Sequence, residues 1–464
     1  MIDYTLPLEQ LPDPLPIEPL TKPFDVTITP PGSKSITCRA YVLAALAEGE
    51  SKIIRPLRAD DTDRLLDALC TLGAEARWKG EDVYIRGVAG RFPRGGSVNL
   101  GDGGTPARFM IAVACLAAEP VIVDGSKRMR ERPIAEGVDM LRQLGAKIEY
   151  VEEEGRLPVR VVPSDGFQGG SIEVRRTQSS QFISAAMLIA PWLLRGVEIR
   201  FSSAPTSVGY VQLTKDVLRH WDDPPTAAVG RSLFEFNASS WPTSTIDGDI
   251  EIAYAPRVCT AGFWIDCDAS STVYWIAAAL LNRDSNYHVG GIGKRLWQPD
   301  LGAIAALMKR AEYPDFSNDE LLMGGPKRFT GFEADAGTWP DGSITVAVCA
   351  SLADGSSRLT GLKTLRVKET DRLAALENEL TKVGCTVTTT DDSITIVPPH
   401  RRDACATTQA ATDPVIIETY NDHRMAMAFA VLGLARPGIS IRNPKCVAKS
   451  YPGFWKDFAK LYQP

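Results

Sequence analysis

The sequence lacks an apolar run long and unbroken enough to span a lipid bilayer. Residues 1–23 also lack the basic start and the apolar core of a signal peptide. Acidic residues in this segment argue against a transit peptide as well; they are Asp3, Glu9, Asp13 and Glu18. We therefore expect a soluble, cytoplasmic protein that does not act at a membrane.

Histidines are few, and neither the histidines nor the cysteines have the spacing of a metal site. The four histidines contain no H-x-x-x-H pair, and the nine cysteines are scattered without a C-x-x-C pair. Metal sites usually need closely spaced ligands, and an odd number of scattered cysteines fits reduced thiols better than a disulfide framework. The sequence therefore predicts reduced thiols, no metal and no cofactor.

An excess of positive charge is also missing. Lys and Arg number 51 against 57 Asp and Glu, which gives a net charge of −6. This balance argues against nucleic acid as a partner, although it leaves room for a local basic pocket. The length of 464 residues favours two or three domains.

What the chain does contain is one pattern repeated six times. A short polar turn rich in Gly, Ser or Asp is followed each time by an apolar stretch of small residues, which predicts a buried helix. The spacing of roughly 70 to 90 residues exceeds that of solenoid repeats, so each unit is expected to be a small α/β subdomain. The turns are Pro31–Ser35, Gly101–Thr105, Thr177–Gln181, Asp268–Ser271, Asp341–Ser343 and Asn421–Arg424.

Between the turns, amphipathic runs predict outer helices, and alternating segments predict strands. The helical runs end near Gly73, Gly145 and Gly384, and they are Asp63–Leu72, Ile134–Leu144 and Asp371–Val383. The expected strands include Val83–Arg86, Val159–Val162, Val387–Thr390 and Ile394–Val397. The predicted fold class is therefore α/β (α+β), with strand, helix, strand, helix and further strands repeated six times.

Three of the six units precede residue 260, and three follow it. The stretch 222–261 is rich in Pro, Ser, Thr and Gly and has no clear periodicity. We place one domain crossing near Phe263–Asp266 and another near Pro30-Pro31. This division predicts a discontinuous domain of residues 1–30 and 265–464 and an inserted domain of residues 31–264.

The six turns also predict anion binding. A helix N-terminus presents free N–H groups and about half a positive charge. Several such ends facing one cavity form an anion site, and nearby cations strengthen it. The candidate cations are Lys34, Arg39, Arg108, Arg132 and Arg424. We therefore expect small ligands that carry phosphate and carboxylate groups.

The motifs themselves resemble one family. They are P-G-S-K-S at 31–35, G-D-G-G-T at 101–105, R-M-R-E-R-P at 128–133, S-S-Q-F at 179–182, D-A-S-S at 268–271, R-V-K-E-T-D-R-L at 366–373, Y-N-D-H-R-M-A-M at 420–427 and P-K-C-V-A-K at 444–449. In this order they resemble the EPSP synthase (3-phosphoshikimate 1-carboxyvinyltransferase) family, from about Thr27 to about Phe458. The resemblance implies a two-domain inside-out α/β barrel of six βαβαββ units, with helix N-termini facing the cleft between the domains.

The resemblance also implies a reaction. The enolpyruvyl group of phosphoenolpyruvate would pass to the 5-hydroxyl of shikimate 3-phosphate by addition and elimination, and phosphate would leave. This chemistry needs cations for the anionic groups, a proton donor and a base. Glyphosate is then the expected inhibitor, a monomer is expected, and binding of shikimate 3-phosphate should draw the two domains together.

Residue roles follow from the matching motifs. The implied catalytic residues are Lys34, Asp341, Glu369 and His423, with Glu369 as proton donor and Asp341 as the acid at the 5-hydroxyl. The implied ligands of shikimate 3-phosphate are Lys34, Ser35, Arg39, Ser179, Ser180, Gln181, Ser207, Tyr210, Asp341, Thr364 and Lys368. Those of phosphoenolpyruvate are Lys34, Gly104, Thr105, Arg132, Gln181, Arg372, Arg424 and Lys449. Lys368 and Arg372, four residues apart, are expected to share a helix face.

Some positions depart from the family pattern. Asp102 and Gly103 stand in a motif that commonly reads G-N-A-G-T, and Thr364 stands where asparagine is common. An aspartate beside an anion site is unfavourable unless it is paired. Two alternatives therefore stay open: a non-catalytic paralogue that binds an anionic metabolite, and the enolpyruvyl transferase that acts on UDP-N-acetylglucosamine.

Overall fold

The structure is a computed structural model, and it describes residues 2–174, 179–203, 205–222, 249–282, 285–290, 297–310, 312–315, 320–324, 329–399 and 414–463. Thr177 and Gln178 of the third turn lie outside the described residues, as does most of the segment 222–261. Within the described part, no helix is both long and apolar enough to cross a membrane.

Each of the six polar turns leads into a buried helix, as predicted. Side chains at three of the turns cap the helix that follows, since Ser179, Asp268 and Asp422 each accept a hydrogen bond from a backbone N–H two residues later. Almost every side chain of these helices is buried, so they form the centre of the structure. The helices are Lys34–Leu46, Gly104–Ala114, Ser180–Ile189, Ala269–Leu281, Ser343–Ala350 and His423–Ala435.

The outer helices are confirmed too, with small shifts of their ends. They are Asp60–Leu72, Ala135–Gln143 and Arg372–Lys382, and each is followed within two residues by a glycine at positive φ. The described residues also form the α-helices Lys127–Glu131, Val208–Asp222, Leu301–Met308 and Phe454–Ala459.

The expectation that Lys368 and Arg372 share a helix face is wrong. A short 3₁₀ helix, Lys363–Val367, ends before Lys368, whose backbone is extended. The next helix begins only at Arg372, because the Asp371 side chain caps it by accepting a hydrogen bond from the Ala374 N–H at 3.1 Å. A capping residue has non-helical backbone angles, so the chain before it leaves the helix.

The described strands form six separate open sheets that share one pairing pattern. In each sheet one parallel pair of strands lies beside an antiparallel pair. Three sheets use strands from 50–264. In sheet order they are Phe263–Trp264, Glu50–Ile54, Asp82–Arg86 and Glu75–Lys79; Gly96–Asn99, Val121–Asp124, Val159–Val162 and Lys147–Tyr150; and Gly170–Val174, Val197–Phe201 and Ile250–Ile252.

The other three sheets combine the start of the chain with its second half. They are Glu312–Asp315, Glu320–Gly324, Asn286–Gly290 and Asp25–Thr27; Glu333–Asp335, Ser357–Thr360, Ile394–Val397 and Thr386–Thr389; and Leu15–Pro16, Ile439–Ile441 and Val415–Ile417. The strand Asp25–Thr27 pairs in parallel with Asn286–Gly290, so the first strands of the chain join sheets of its second half. No sheet among the described strands closes into a barrel.

Buried apolar side chains gather into two separate cores. One core draws on residues between Ile36 and Ile265. The other combines residues from Tyr4 to Ile28 with residues from Ala269 to Leu461. The chain passes between them at two adjacent points, where Ser33 N–H donates to the Asp266 carbonyl at 2.8 Å and Asp268 N–H donates to the Pro31 carbonyl at 2.9 Å. A cleft lies between the two cores.

Candidate active site

The cleft between the two cores contains about 780 Å³ of empty space, part of which is open to solvent. Five of the six central helices begin at its wall, which is why polar turns distant in sequence meet there. Asp61, Arg108 and Val367 line it in addition to most of the predicted site residues. The predicted residues in the wall are Lys34, Ser35, Arg39, Gly104, Thr105, Arg132, Ser179, Ser180, Gln181, Ser207, Tyr210, Asp341, Thr364, Lys368, Glu369, Arg372 and Arg424.

The sixth helix start, at Asp268, faces a smaller cavity of about 200 Å³. This cavity shares Ser35 and Tyr210 with the main cleft, and Asp300 also lines it. Asp268 accepts a hydrogen bond from the Ser270 N–H at 2.8 Å, which is a capping contact. The Asp268 turn therefore lies behind the wall of the cleft.

Asp341 is the most heavily paired carboxylate of the cleft. Arg372 and Arg424 contact it at 2.9 and 3.0 Å, and the Lys368 ammonium lies 3.4 Å away. The Tyr210 hydroxyl donates to it at 3.2 Å. Burial alone would raise the pKa of Asp341, but the surrounding cations outweigh burial and hold this pKa well below its ordinary 3.8. Asp341 is therefore ionised and able to accept a proton.

Glu369 is the second buried carboxylate. Its two oxygens lie 3.0 Å from the Lys449 ammonium and 2.9 Å from the Arg372 guanidinium. Burial favours the neutral acid, yet Lys449 and Arg372, followed by Arg132 and Lys34, hold the pKa of Glu369 well below its ordinary 4.5. The cations that depress this pKa include those expected to bind an anionic ligand.

Arg372 is fixed from behind by Asp422. Its Nε and one terminal nitrogen donate to the two Asp422 oxygens at 2.7 and 3.2 Å, and both side chains are fully buried. Asp422 also caps the helix that begins at His423, so one carboxylate orients the guanidinium and the Arg424 turn together. A bidentate pair of this kind holds a guanidinium in one direction, here toward Asp341 and Glu369.

Asp61 is a cleft residue that the sequence analysis missed. It forms an ion pair with the Lys34 ammonium at 3.1 Å. Burial disfavours the charged ammonium, but Asp61 and the more distant Glu369 outweigh burial, and the pKa of Lys34 is raised. The available signal was the acidic run Asp60–Asp63 at a helix start, which is common at any helix N-terminus.

The Gln181 side chain is positioned by two neighbours. Its amide oxygen accepts from Arg108 at 2.5 Å, and its amide nitrogen donates to the Thr105 hydroxyl at 2.8 Å. Arg108 in turn lies over the Phe182 ring, 4.9 Å from its centroid. Burial, followed by the nearby Arg132, holds the pKa of Arg108 well below its ordinary 12.5.

Arg132 is buried beside Gly104. A Cβ built on Gly104 would lie 2.5 Å from a terminal nitrogen of Arg132, so the glycine leaves room for the guanidinium. Apart from a 3.8 Å contact with the Met129 sulfur, no hydrogen bond to the Arg132 side chain is found within the described part of the chain. Arg132 is thus a buried cation suited to an incoming anion.

Arg39 is engaged by neutral oxygens of the protein, whereas Lys34, Arg372 and Arg424 are paired with carboxylates. Its guanidinium donates to the Thr214 and Ser184 hydroxyls and to the Ser35 and Tyr210 carbonyls, at 2.8 to 3.1 Å. Burial lowers its pKa to about 10. Arg39 lines the cleft, where it joins the helices that carry Ser35, Ser184 and Tyr210.

Lys449 and His423 lie just outside the cleft lining. Lys449 reaches the site through its contact with Glu369. His423 is fully buried, and neither ring nitrogen has a hydrogen-bond partner among the described residues. Burial and nearby cations, chiefly Lys34 and Arg424, hold the pKa of His423 well below its ordinary 6.5, so the imidazole is neutral. Within the described residues, no cluster of side chains is suited to a metal ion.

The remaining predicted residues meet at the cleft wall. Ser179 caps the helix on which Ser180 and Gln181 stand. Ser207 has a φ of 51°, which places it at the sharp turn before the helix of Tyr210. The Thr364 hydroxyl is buried without a partner among the described residues. The cleft thus combines ionised carboxylates, buried cations and small polar groups, a set suited to proton transfer on an anionic substrate.

Comparisons with known proteins identify one enzyme family. Residues 20–458 match the family model described as EPSP synthase (3-phosphoshikimate 1-carboxyvinyltransferase). A 3-phosphoshikimate 1-carboxyvinyltransferase of Paraburkholderia phymatum is 34% identical over 446 residues, covering 94% of this chain and 97% of the relative. The enzyme of that name from Proteus mirabilis is 33% identical over 448 residues, covering 94% and 96%.

Solved structures share the fold. An EPSP synthase from Acinetobacter baumannii superposes with a TM-score of 0.74 at 22% identity, covering 96% of this chain and 97% of the other. The enolpyruvyl transferase NikO from Streptomyces tendae superposes with a TM-score of 0.69 at 16% identity, covering 96% of both chains. The mixed α/β architecture is therefore that of two-domain enolpyruvyl transferases.

Proposed function

The chain belongs to the EPSP synthase family, and on this premise we propose that it transfers the enolpyruvyl group of phosphoenolpyruvate to the 5-hydroxyl of shikimate 3-phosphate. The products are 5-enolpyruvylshikimate 3-phosphate and phosphate. One observation in the cleft carries the proposal. Two buried carboxylates, Asp341 and Glu369, lie among the cations Lys34, Lys368, Arg372 and Arg424, an arrangement suited to proton transfer on two anionic substrates.

We assign the base role to Asp341. It is ionised and receives a hydrogen bond from the Tyr210 hydroxyl. A substrate hydroxyl placed beside Asp341 would lose its proton to it as the oxygen attacks the enol carbon of phosphoenolpyruvate. Lys368, 3.4 Å away, is placed to hold a charged group of shikimate 3-phosphate at the same point.

We assign the acid role to Glu369, which must be protonated before it can donate to the methylene carbon. The cations that hold its pKa low, Lys449 and Arg372 first, are those proposed to bind phosphoenolpyruvate. The negative charges of the substrate offset these cations, which raises the pKa of Glu369 toward the range of a useful acid. Substrate binding itself would therefore prepare the proton donor.

We assign the remaining roles according to position. Ser35, Arg39, Ser179, Ser180, Ser207, Tyr210 and Thr364 are proposed to form the shikimate 3-phosphate side of the cleft. The residues proposed to surround phosphoenolpyruvate are Gly104, Thr105, Arg132, Gln181, Arg372, Arg424 and Lys449. Lys34 and Gln181 are proposed to contact both substrates, and His423 is proposed as a catalytic residue that acts beside Arg424 with a neutral imidazole. Among the described residues the Arg132 guanidinium has a hydrogen bond only to the Met129 sulfur, which supports its assignment.

We further infer six βαβαββ units arranged as two inside-out α/β barrels. The shared pairing pattern of the six sheets and the burial of the six central helices support this arrangement. The two separate cores support a division into residues 1–30 with 265–464 and residues 31–264. We also expect glyphosate to inhibit the enzyme, and we expect a cytoplasmic monomer.

One assay tests the function. Purified protein with phosphoenolpyruvate and shikimate 3-phosphate should release phosphate and form the enolpyruvyl ether, detected by mass spectrometry. Release only with UDP-N-acetylglucosamine would identify the sister transferase. Tight binding of shikimate 3-phosphate without turnover would identify a non-catalytic paralogue, and either result would reject the proposal.

A further inference from the structure

Asp102 lies in a hydrogen-bond chain that joins the two halves of the molecule. The Ser126 hydroxyl donates to one Asp102 oxygen, and the Asn421 side-chain amide donates to the other at 3.1 Å. Asn443 then donates to the Asn421 amide oxygen at 3.0 Å. Ser126 and Asp102 belong to the first core's half of the molecule, and both asparagines belong to the second.

The Asp102 carboxylate sets the direction of every hydrogen bond in this chain. A carboxylate only accepts hydrogen bonds, so Asn421 must turn its NH₂ group toward Asp102. The Asn421 amide oxygen then faces the other way and accepts from Asn443. Asn421 and Asn443 both have positive φ, 56° and 49°, a backbone conformation that asparagine tolerates better than most residues. These four residues, Ser126, Asp102, Asn421 and Asn443, are called the cleft latch below.

The cleft latch adjoins the groups proposed to hold phosphoenolpyruvate. Asp102 stands two residues before Gly104, and Asn421 stands three residues before Arg424. The Lys449 ammonium, which contacts Glu369, also donates to the Asp102 backbone carbonyl at 3.0 Å. A shift of Asp102 would therefore separate the two sides of that site and move Lys449 with it.

We propose that Asp102 is a positioning residue, which joins the Gly104 turn to the Asn421–Arg424 turn and so sets the geometry of the phosphoenolpyruvate site. The inference rests on the proposed function and deepens it. Asp102 itself takes no part in the chemistry. Its contribution is to keep Gly104, Arg424 and Lys449 at fixed positions relative to one another across the cleft.

A residue exchange tests the proposal. Asn421→Asp places two carboxylates face to face and should lower kcat/KM for phosphoenolpyruvate roughly tenfold through repulsion. The double variant Asp102→Asn with Asn421→Asp reverses donor and acceptor, keeps all three hydrogen bonds and restores the net charge. It should recover kcat/KM to within roughly twofold of the native value. Gln143→Glu, the same amide-to-acid change on an outer helix, is the charge control and should leave kcat/KM near native.

The outcomes distinguish the positioning role of Asp102 from the proposed function of the enzyme. Recovery in the exchange variant supports the latch, since a general loss of stability would not be repaired by a second substitution. An exchange variant no better than Asn421→Asp, or an Asn421→Asp protein as active as the Gln143→Glu control, would overturn the inference while leaving the function intact. A native protein that releases no phosphate would overturn the proposed function and this inference with it.

Discussion

The two buried carboxylates of the cleft act through their charge as much as through their shape. Asp341 and Glu369 are buried, yet cations keep both ionised. Removing either partner of such a pair leaves an uncompensated buried charge, which is far more costly than removing an exposed pair. Substitutions that keep the shape and remove only the charge or the proton are therefore the informative ones.

Glu369→Gln should abolish most of the activity and spare the binding of shikimate 3-phosphate. The amide keeps the size of the side chain and can still accept from Lys449, but it cannot supply an acidic proton. We expect kcat to fall by about a hundredfold or more, measured as phosphate release, with the Kd for shikimate 3-phosphate nearly unchanged. Glu377→Gln, on the next helix and away from the cleft, is the control. A Glu369→Gln protein with near-native kcat would assign the proton donor elsewhere.

Asp300 gives a pH-dependent prediction. Burial, and then the charge of Asp341, raises the pKa of Asp300 to about 6 from the ordinary 3.8. The folded protein thus holds this proton more tightly than the unfolded chain, so ionisation of Asp300 costs stability: the cost grows as the pH rises from about 4 to about 6, is constant above that, and disappears as the pH falls back to about 4. Asp300→Asn removes the cost and can still accept from the Gly342 N–H, which now bonds Asp300 at 3.0 Å.

The free energy of unfolding in urea should reveal this cost. The free energy of unfolding of Asp300→Asn should rise relative to that of the native protein as the pH increases from about 4 to about 6, with a slope of at most ~1.4 kcal/mol per pH unit, and the difference should level off above about 6. Asp165→Asn, at an exposed turn, should show no such trend. A difference between Asp300→Asn and native that does not vary with pH would contradict the assignment.

The sequence identified these residues better than it identified their partners. Lys34, Asp341 and Glu369 stand in recognisable motifs. Asp61, which pairs with Lys34, and Asp300, which adjoins Asp341, stand in ordinary helix-start sequences. Such pairs are set by tertiary packing between segments distant along the chain, and no local pattern encodes them.

At the scale of helices and strands, periodicity predicted the position of most elements. Val159–Val162 and Ile394–Val397 are strands with the expected ends, and each polar turn precedes a helix. The helix expected to span Lys368 and Arg372 is the exception, because the cap at Asp371 starts the helix later. Whether the helix starts at Arg372 or earlier depends on a single hydrogen bond from the Asp371 side chain to the backbone. The amino-acid composition of the segment does not show which of the two starts is favoured.

Gly137 shows how tightly these helices pack. A Cβ on this residue would lie 2.1 Å from the Phe182 ring, and Phe182 carries Arg108 on its face. Alanine is normally better than glycine in a helix by roughly 0.5–1 kcal/mol, but overpacking costs ~1–3 kcal/mol. We expect Gly137→Ala to lower the free energy of unfolding and raise the KM for shikimate 3-phosphate, through displacement of Arg108 and Gln181.

A second substitution distinguishes packing from backbone effects. Phe182→Leu in the Gly137→Ala protein provides the missing space and should restore part of the lost stability in urea unfolding. A Gly137→Ala protein more stable than native would mean that helix propensity dominates at this contact.

For the whole molecule, the two halves contact each other across a cleft lined with cations. Arg128 donates to the backbone carbonyls of Glu369 and Lys368 at 2.8 and 3.3 Å, and Tyr210 donates to Asp341. These contacts hold the two halves together, whereas the positively charged side chains on opposite sides of the cleft repel each other when no anionic ligand is bound. An anionic ligand removes the repulsion and should favour the compact arrangement.

Small-angle scattering should therefore show a smaller radius of gyration when shikimate 3-phosphate and glyphosate are added. Arg128→Ala removes the contacts with the opposite half and should reduce the compaction, whereas Arg160→Ala on an exposed strand should not. An unchanged radius of gyration in the native protein with both ligands bound would reject ligand-driven closure.

The two adjacent crossings of the chain have a consequence for how such a protein can be recombined. Gly32 and Cys267 form a β-bridge, so both ends of the stretch between them leave the second core at one place. Replacing that single stretch with its counterpart from a relative would require only two junctions, which lie side by side. Each apolar core of the chimera would then come entirely from one of the two parent proteins. Chimeras joined at these two points should therefore fold, and they would show which half of a relative determines its affinity for each substrate.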